Sequence, residues 1–286
     1  MKKNVDNSYR RTVCPICSSK NIKSIGLINY EAPIYYSSVE IELSNQPELW
    51  CCDNCKSWFV QNIVSQKDSV QLYTEGDASD RWGDNLFEYN HAEDTVKIIS
   101  RYLGKGKTLL DIGCCDGSFL DYAHKKGCIT YGIEYSENAC NKLREKHHSV
   151  FTSYEEIEMK FDIVTAFDLA EHLYDFPNWI STVRSKLKKD GVLLIITGDN
   201  CSKEAFEQKN DWWYVSFPEH IVFPSIDSYR IIGFNIVYYK KISPWFNSKW
   251  TISRIFRNLI LTLNWVNCSG WPFAQPNHYI IILKLD

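Results

Sequence analysis

A chain of 286 residues is long enough for one full-sized α/β domain and a small satellite. Its 32 basic and 35 acidic side chains leave a net charge of −3, which argues against the basic footprint of a nucleic-acid-binding surface. A hydrophobic fraction of 44% supports a buried core without staples, and no run of about 18 apolar residues reads as a membrane span.

The chain opens on MKKNVDNSYRR, which has charges but no apolar run behind them. No signal peptide is read there, and the expected address is cytoplasmic. Eleven cysteines follow unevenly, an odd number that argues against a disulfide framework. Cys14-Pro-Ile-Cys17 and Cys52-Asp-Asn-Cys55 make two C-x₂-C knuckles, and four thiolates close a tetrahedral structural zinc site. Residues 1–65 are therefore expected to form a zinc-binding β subdomain with Cys14, Cys17, Cys52 and Cys55 as ligands. Two or three strands are expected between the pairs. Loose thiols or a redox pair are the competing readings.

Residues 66–100 read as a polar connector that turns helical around Asn90–Tyr102. Tyr73, Trp82 and Tyr89 stand where they could close over a ligand. From 101 to 286 strand-like and helix-like stretches alternate, as in a parallel sheet with crossover helices. The strands are Thr108–Ile112, Ile129–Glu134, Phe161–Phe167 and Val192–Thr197, then Asn235–Lys241 and His278–Leu285. The helices are Ser118–Lys126, Glu137–His147 and Phe176–Lys188. Trp250–Val266 has the spacing of an amphipathic helix, either packed on the domain or, within a 242–277 insertion, serving as a lid or a peripheral membrane contact.

The stretch LLDIGCCDGSFL (109–120) is a strand, a glycine turn and a helix start. Gly113 and Gly117 allow a tight turn and close backbone approach. The helix N-terminus presents free N–H groups that suit a carboxylate. Its G-x-x-x-G spacing is not the dinucleotide pattern, and Asp111 suits a ligand with an ammonium group better than a pyrophosphate. Glu134 ends the next strand, where a carboxylate can accept both ribose hydroxyls.

On these residues the chain resembles the class I S-adenosylmethionine-dependent methyltransferases. Asp111–Gly117 is similar to their first motif, with Cys115 at the middle glycine. Phe161–Phe167 and Leu187–Thr197 resemble their fourth strand and their helix–turn–fifth strand. The resemblance implies a Rossmann-like seven-stranded sheet, last strand antiparallel, with helices on both faces. It implies S-adenosylmethionine as cofactor, held by Asp111, Gly113, Cys114, Gly117, Glu134 and Tyr135, with Ser153 near the adenine and Phe167 or Asp168 beneath the sulfonium.

Cysteine knuckles ahead of such a domain are similar to the sugar C-methyltransferases and their relatives from antibiotic and surface-polysaccharide pathways. In that family a Tyr-x-Glu-His stretch carries the base. Here it reads Phe217-Pro-Glu219-His220, so His220 is the expected base, assisted by Glu219 or by His172. Phe217 in place of tyrosine leaves O-methylation and C-methylation both open. Trp212, Trp213 and Tyr214 are either a stacking wall for a sugar ring or core aromatics. The expected acceptor is a sugar hydroxyl, nucleotide-linked or in a glycan. An RNA methyltransferase and a non-catalytic binding module are the alternatives. The oligomeric state is not legible.

Overall fold

The computed structural model describes residues 2–30, 33–76, 87, 93–242 and 276–285. The first 63 residues give eight short strands: β1 (Lys3–Val5), β2 (Tyr9–Arg10), β3 (Ile22–Leu27), β4 (Ile34–Tyr36), β5 (Val39–Leu43), β6 (Glu48–Cys52), β7 (Trp58–Val60) and β8 (Asn62–Ile63). Between Cys17 and Cys52 lie three of these and the greater part of β6, one more than the upper expectation. Each C-x₂-C pair is followed by a left-handed residue, Ser18 (φ 57°) or Lys56 (φ 61°). That backbone turns each knuckle onto its own first cysteine, through Ser18 N to Cys14 O (3.0 Å) and Lys56 N to Cys52 O (2.9 Å).

The polar connector holds a helix that its composition hides, α1 (Gln66–Glu75). Ser65 starts it: its hydroxyl accepts from Asp68 N (3.1 Å) and donates to Asp68 Oδ2 (2.7 Å), a variant of the capping box. Helix α2 (Glu93–Ser100) falls inside the predicted Asn90–Tyr102 span.

The alternating region then supplies β9 (Thr108–Ile112), α3 (Ser118–Lys125), β10 (Ile129–Ile133), α4 (Glu137–Glu145), β11 (Ser149–Phe151), β12 (Phe161–Phe167) and α5 (Phe176–Lys186). After these come β13 (Leu187–Gly198), α6 (Lys203–Gln208), β14 (Val222–Phe223), α7 (Ile226–Ile231), β15 (Phe234–Ile242) and β16 (His278–Leu285). Seven strands make one sheet in the order β11-β10-β9-β12-β13-β16-β15. All its pairs are parallel except those of β16, which runs antiparallel to β13 and β15, as the resemblance implied. The predicted helix at 250–266 lies outside the described residues.

Pleating sends alternate residues to opposite faces. Leu109, Ile163 and Leu194 pack with Ile98, Phe119 and Leu143 of α2, α3 and α4. Leu110, Val164 and Leu193 pack with Phe176, Ile180 and Val183 of α5. The second core continues without a break into the N-terminal strands, taking in Leu49, Phe59 and Ile63. The join is also a shared sheet. β14, from the downstream half of the chain, pairs antiparallel with β7, Val222 opposite Phe59, in a four-stranded sheet with β6 and β3. Buried Arg11 adds to it, donating to the carbonyls of Val60 (3.3 Å) and Ile221 (2.7 Å).

Gly198 ends β13 against the ring of Tyr214, where an added Cβ would lie 2.2 Å from Cε1. Tyr214 is itself buried and has nowhere to retreat. Gly198→Ala is therefore expected to cost about 1–3 kcal/mol. Urea unfolding checks this, and an unchanged midpoint would refute the close packing of the Tyr214 ring.

Candidate active site

The C-terminal ends of β9, β10, β12 and β13 share one edge of the sheet, and the predicted ligand-binding groups collect there. Asp111 faces Thr165 of β12, whose hydroxyl donates to its Oδ1 (2.6 Å). Burial pushes the Asp111 carboxyl up to about 7, against the Thr165 bond, with the charges of Asp116 and Glu134 adding to the rise. The loop beyond it is pinned to β10 by Gly113 N and Cys114 N, both donating to Ile133 O (2.8 and 3.1 Å). Gly117 caps α3 at φ 76°, and an added Cβ would meet Leu143 Cδ2 at 2.4 Å, so both backbone and space demand glycine.

Glu134 is buried. Its Oε1 accepts from Ser136 N (2.9 Å) and Tyr73 Oη (3.3 Å), and its Oε2 accepts from Cys115 N (3.2 Å). Burial raises its carboxyl above the ordinary value. Neither Asp111 nor Glu134 has a basic side chain at ion-pair distance among the described residues. Two buried carboxyls with neutral partners only, beside a glycine turn, fit a ligand that brings its own positive charge and hydroxyls.

Other predicted groups sort by where they point. Asp168, at φ 48°, is solvent-exposed at the end of β12. Phe167 instead packs its ring on Phe119 (4.9 Å) and Phe87 (6.2 Å). Cys114 sends its sulfur into the core beneath Gly132, so what it offers the loop is backbone. Tyr135 is exposed, and Ser153 is half-buried with its N–H on Glu156 Oε1 (3.0 Å). Trp82 and Tyr89 lie outside the described residues.

Beyond the ends of β12 and β13 two histidines meet. The rings of His172 and His220 lie 4.8 Å apart, edge to face. His172 Nδ1 pairs with the carbonyl of Glu219 (3.0 Å) and His220 Nδ1 with the carbonyl of Tyr214 (2.7 Å). A carbonyl only accepts, so both rings carry the proton on Nδ1 and the lone pair on Nε2. Glu171, on the same 3₁₀ turn as His172, is wholly buried. Its oxygens take the hydroxyls of Thr197 (2.8 Å) and Tyr214. Glu219 Oε1 accepts from the backbone N–H of Ser37 (2.6 Å) in the N-terminal region. Trp212 and Tyr214 are core aromatics, whereas Trp213 is 44% exposed. Glu171, Thr197 and Ser37 escaped the sequence reading. Only the Glu171-His172 dipeptide signalled any of them, since the others act through partners distant in sequence.

The four knuckle cysteines come together. All four sulfurs lie within 4.8 Å of one another, with Cys14–Cys55 and Cys17–Cys52 each at 3.6 Å. Zinc–sulfur bonds of about 2.3 Å require sulfur–sulfur edges of about 3.8 Å in a tetrahedron, so the set fits. Cys51 stands outside it.

A family model described as "Methyltransferase domain" matches residues 86–232. The ubiquinone biosynthesis O-methyltransferase of Coxiella burnetii is 30% identical over 103 residues, 32% of this chain and 44% of that protein. Its counterpart in Pseudomonas paraeruginosa is 24% identical over 150 residues, 47% of this chain and 65% of that protein. The chain thus spans less than two thirds of the length of either relative. Among solved structures, coclaurine N-methyltransferase bound to N-methylheliamine and SAH aligns at TM-score 0.48 and 15% identity, over 71% of this chain and 78% of that one. A SAM dependent methyltransferase from Archaeoglobus fulgidus aligns at TM-score 0.46 and 20% identity, over 69% and 96%. With the matched segment covering more than half of its length, the chain belongs to the methyltransferase-domain family.

Proposed function

We propose that this protein is an S-adenosylmethionine-dependent methyltransferase acting on a small-molecule hydroxyl, that of a sugar in nucleotide-sugar or surface-polysaccharide biosynthesis. The observation that carries the cofactor is the pair of buried carboxyls, Asp111 and Glu134, flanking the glycine turn without a basic partner. O-methylation is supported by the curated relatives, which are named O-methyltransferases. The sugar class rests on the cysteine knuckles and the Phe217–His220 stretch.

When bound, the cofactor supplies a methyl group on a positively charged sulfur. Asp111 and Glu134 hold its ammonium and ribose hydroxyls, and the loop from Gly113 to Gly117 gives backbone room. Asp168, exposed on the same edge, adds negative charge facing the sulfonium. His220 presents Nε2 as the acceptor of the substrate's proton, and His172 lies against it. Glu219 acts through position, tying the loop that carries His220 to Ser37. Structural zinc on Cys14, Cys17, Cys52 and Cys55 steadies residues 1–65, ahead of a connector at 66–100 and a catalytic domain at 101–286.

The deciding experiment is a mass-spectrometric screen for added methyl groups across nucleotide sugars, glycans and RNA. Methylated sugar that disappears with His220→Gln is the expected outcome, and labelling of RNA alone would remove the sugar reading. Asp111 gives a second expectation. An ammonium beside it favours its ionised form, so cofactor binding releases a proton and tightens as pH rises toward about 7. Calorimetry at several pH values should show that slope, and Asp111→Asn should flatten it. For the cysteines, Cys17→Ser should remove one equivalent of bound zinc per chain by elemental analysis and lower the melting temperature. Unchanged zinc would rule the cluster out as the ligand set.

A further inference from the structure

The imidazole pair has a neighbour that proton transfer does not require. Glu171 is wholly buried, and no basic side chain among the described residues pairs with it by ion bridge. Its two oxygens each take one hydroxyl, from Thr197 and Tyr214, and each carboxylate oxygen has a second lone pair. The donor atoms of Glu171, His172 and His220 lie within 4.8 Å of one another. Both imidazoles direct Nδ1–H onto backbone carbonyls, which leaves Nε2 as the nitrogen bearing the lone pair in each. Carbonyls on imidazole N–H groups and hydroxyls on a carboxylate are the supporting bonds that orient metal ligands.

We infer that Glu171, His172 and His220 form a site for a divalent transition-metal cation. Two neutral imidazoles and one carboxylate suit zinc, cobalt or nickel, whereas magnesium and calcium take oxygen donors. Three protein ligands leave coordination positions open, as in catalytic rather than structural sites. His172 is the least buried of the three, so the site is open to solvent on its side. The inference rests on the reading that the acceptor hydroxyl binds here, and it sharpens that reading. A hydroxyl placed on such a cation ionises near neutral pH, its proton leaving to solvent, and His220 then serves as ligand rather than proton acceptor. Oxygen bonds the methyl carbon while the carbon–sulfur bond breaks, its electron pair staying on sulfur. A cation that acidifies hydroxyls favours oxygen over carbon as the methylated atom.

The test is cobalt titration of the full chain with its cysteine cluster already filled with zinc. The expected result is visible d–d absorption without sulfur-to-cobalt charge transfer, saturating at one further equivalent. His172→Ala and His220→Ala should abolish it, with circular dichroism as the control for folding. Tyr214→Phe, which removes only the hydroxyl on Glu171, should weaken cobalt binding about tenfold. Cobalt seen only through sulfur charge transfer, or affinity unchanged in the histidine variants and in Tyr214→Phe, would overturn the site. S-adenosylmethionine binding, measured calorimetrically on the same samples, judges the cofactor reading separately, since its absence would sink methyl transfer and leave the cobalt result standing.

Discussion

The placement of the segment from Trp212 to Phe223 governs the site, because this segment is held from both halves of the molecule at once. From the sheet side, Tyr214 donates its hydroxyl to Glu171, and Ile221 N donates to the Glu171 carbonyl (2.8 Å). From the N-terminal side, β14 pairs with β7, Arg11 binds the Ile221 carbonyl, and Ser37 N binds Glu219. Each such bond contributes about 1 kcal/mol net, but breaking one leaves a buried group unpaired at about 1–3 kcal/mol. The asymmetry makes the segment hard to move in part. His220, whose ring is oriented by the Tyr214 carbonyl, inherits that rigidity.

This gives the cysteine knuckles a purpose beyond holding their own strands. β7 begins three residues after Cys55, and Ser225, just beyond β14, gives its hydroxyl to the Cys55 carbonyl. The order of the second knuckle is thus passed directly to the strand pair that anchors the loop of His220. Disorder in that knuckle would loosen the anchor before it reached the glycine turn at 113–117, which hangs on β9 and β10 through backbone bonds of its own.

The parts of this arrangement legible in sequence are those set by local rules. Asp111, Gly113 and Glu134 lie at strand ends and Gly117 at a helix start because the turn chemistry is local, and the alternation of strand and helix marked six of the sheet's seven strands. Helix α1 was hidden because its residues are mostly polar, although Ser65 and Asp68 spell a cap. β11 was too short, at three residues, to carry a period of two. The predicted helix through Lys188 ends at Lys186, where β13 begins. Glu171 with Thr197, and Glu219 with Ser37, are pairings at long sequence separation, and no window of neighbouring residues contains them. Glu219 was expected to assist the base, and its carboxylate accepts from Ser37 N, a contact that no local pattern in the sequence contains.

Charge along the sheet edge ties the cofactor end to the acceptor end. Asp111, Glu134, Asp168 and Glu171 follow one another on the ends of β9, β10 and β12, and no lysine or arginine among the described residues forms an ion pair with any of them. Desolvation raises the carboxyls of Asp111 and Glu134, and the charge of neighbouring carboxylates adds to the rise at Asp111. Asp111 and Glu134 therefore hold their protons more firmly than free carboxyls would, and the arrival of a cation favours their ionised form. A ligand carrying an ammonium and a sulfonium meets that need at two points along the edge. Under the proposed function, methyl transfer would neutralise the sulfonium and remove half of that compensation, so the edge that draws the charged cofactor in would hold the neutral thioether product less tightly. Binding and release would then be governed by the same carboxyls, with the reaction itself switching the balance.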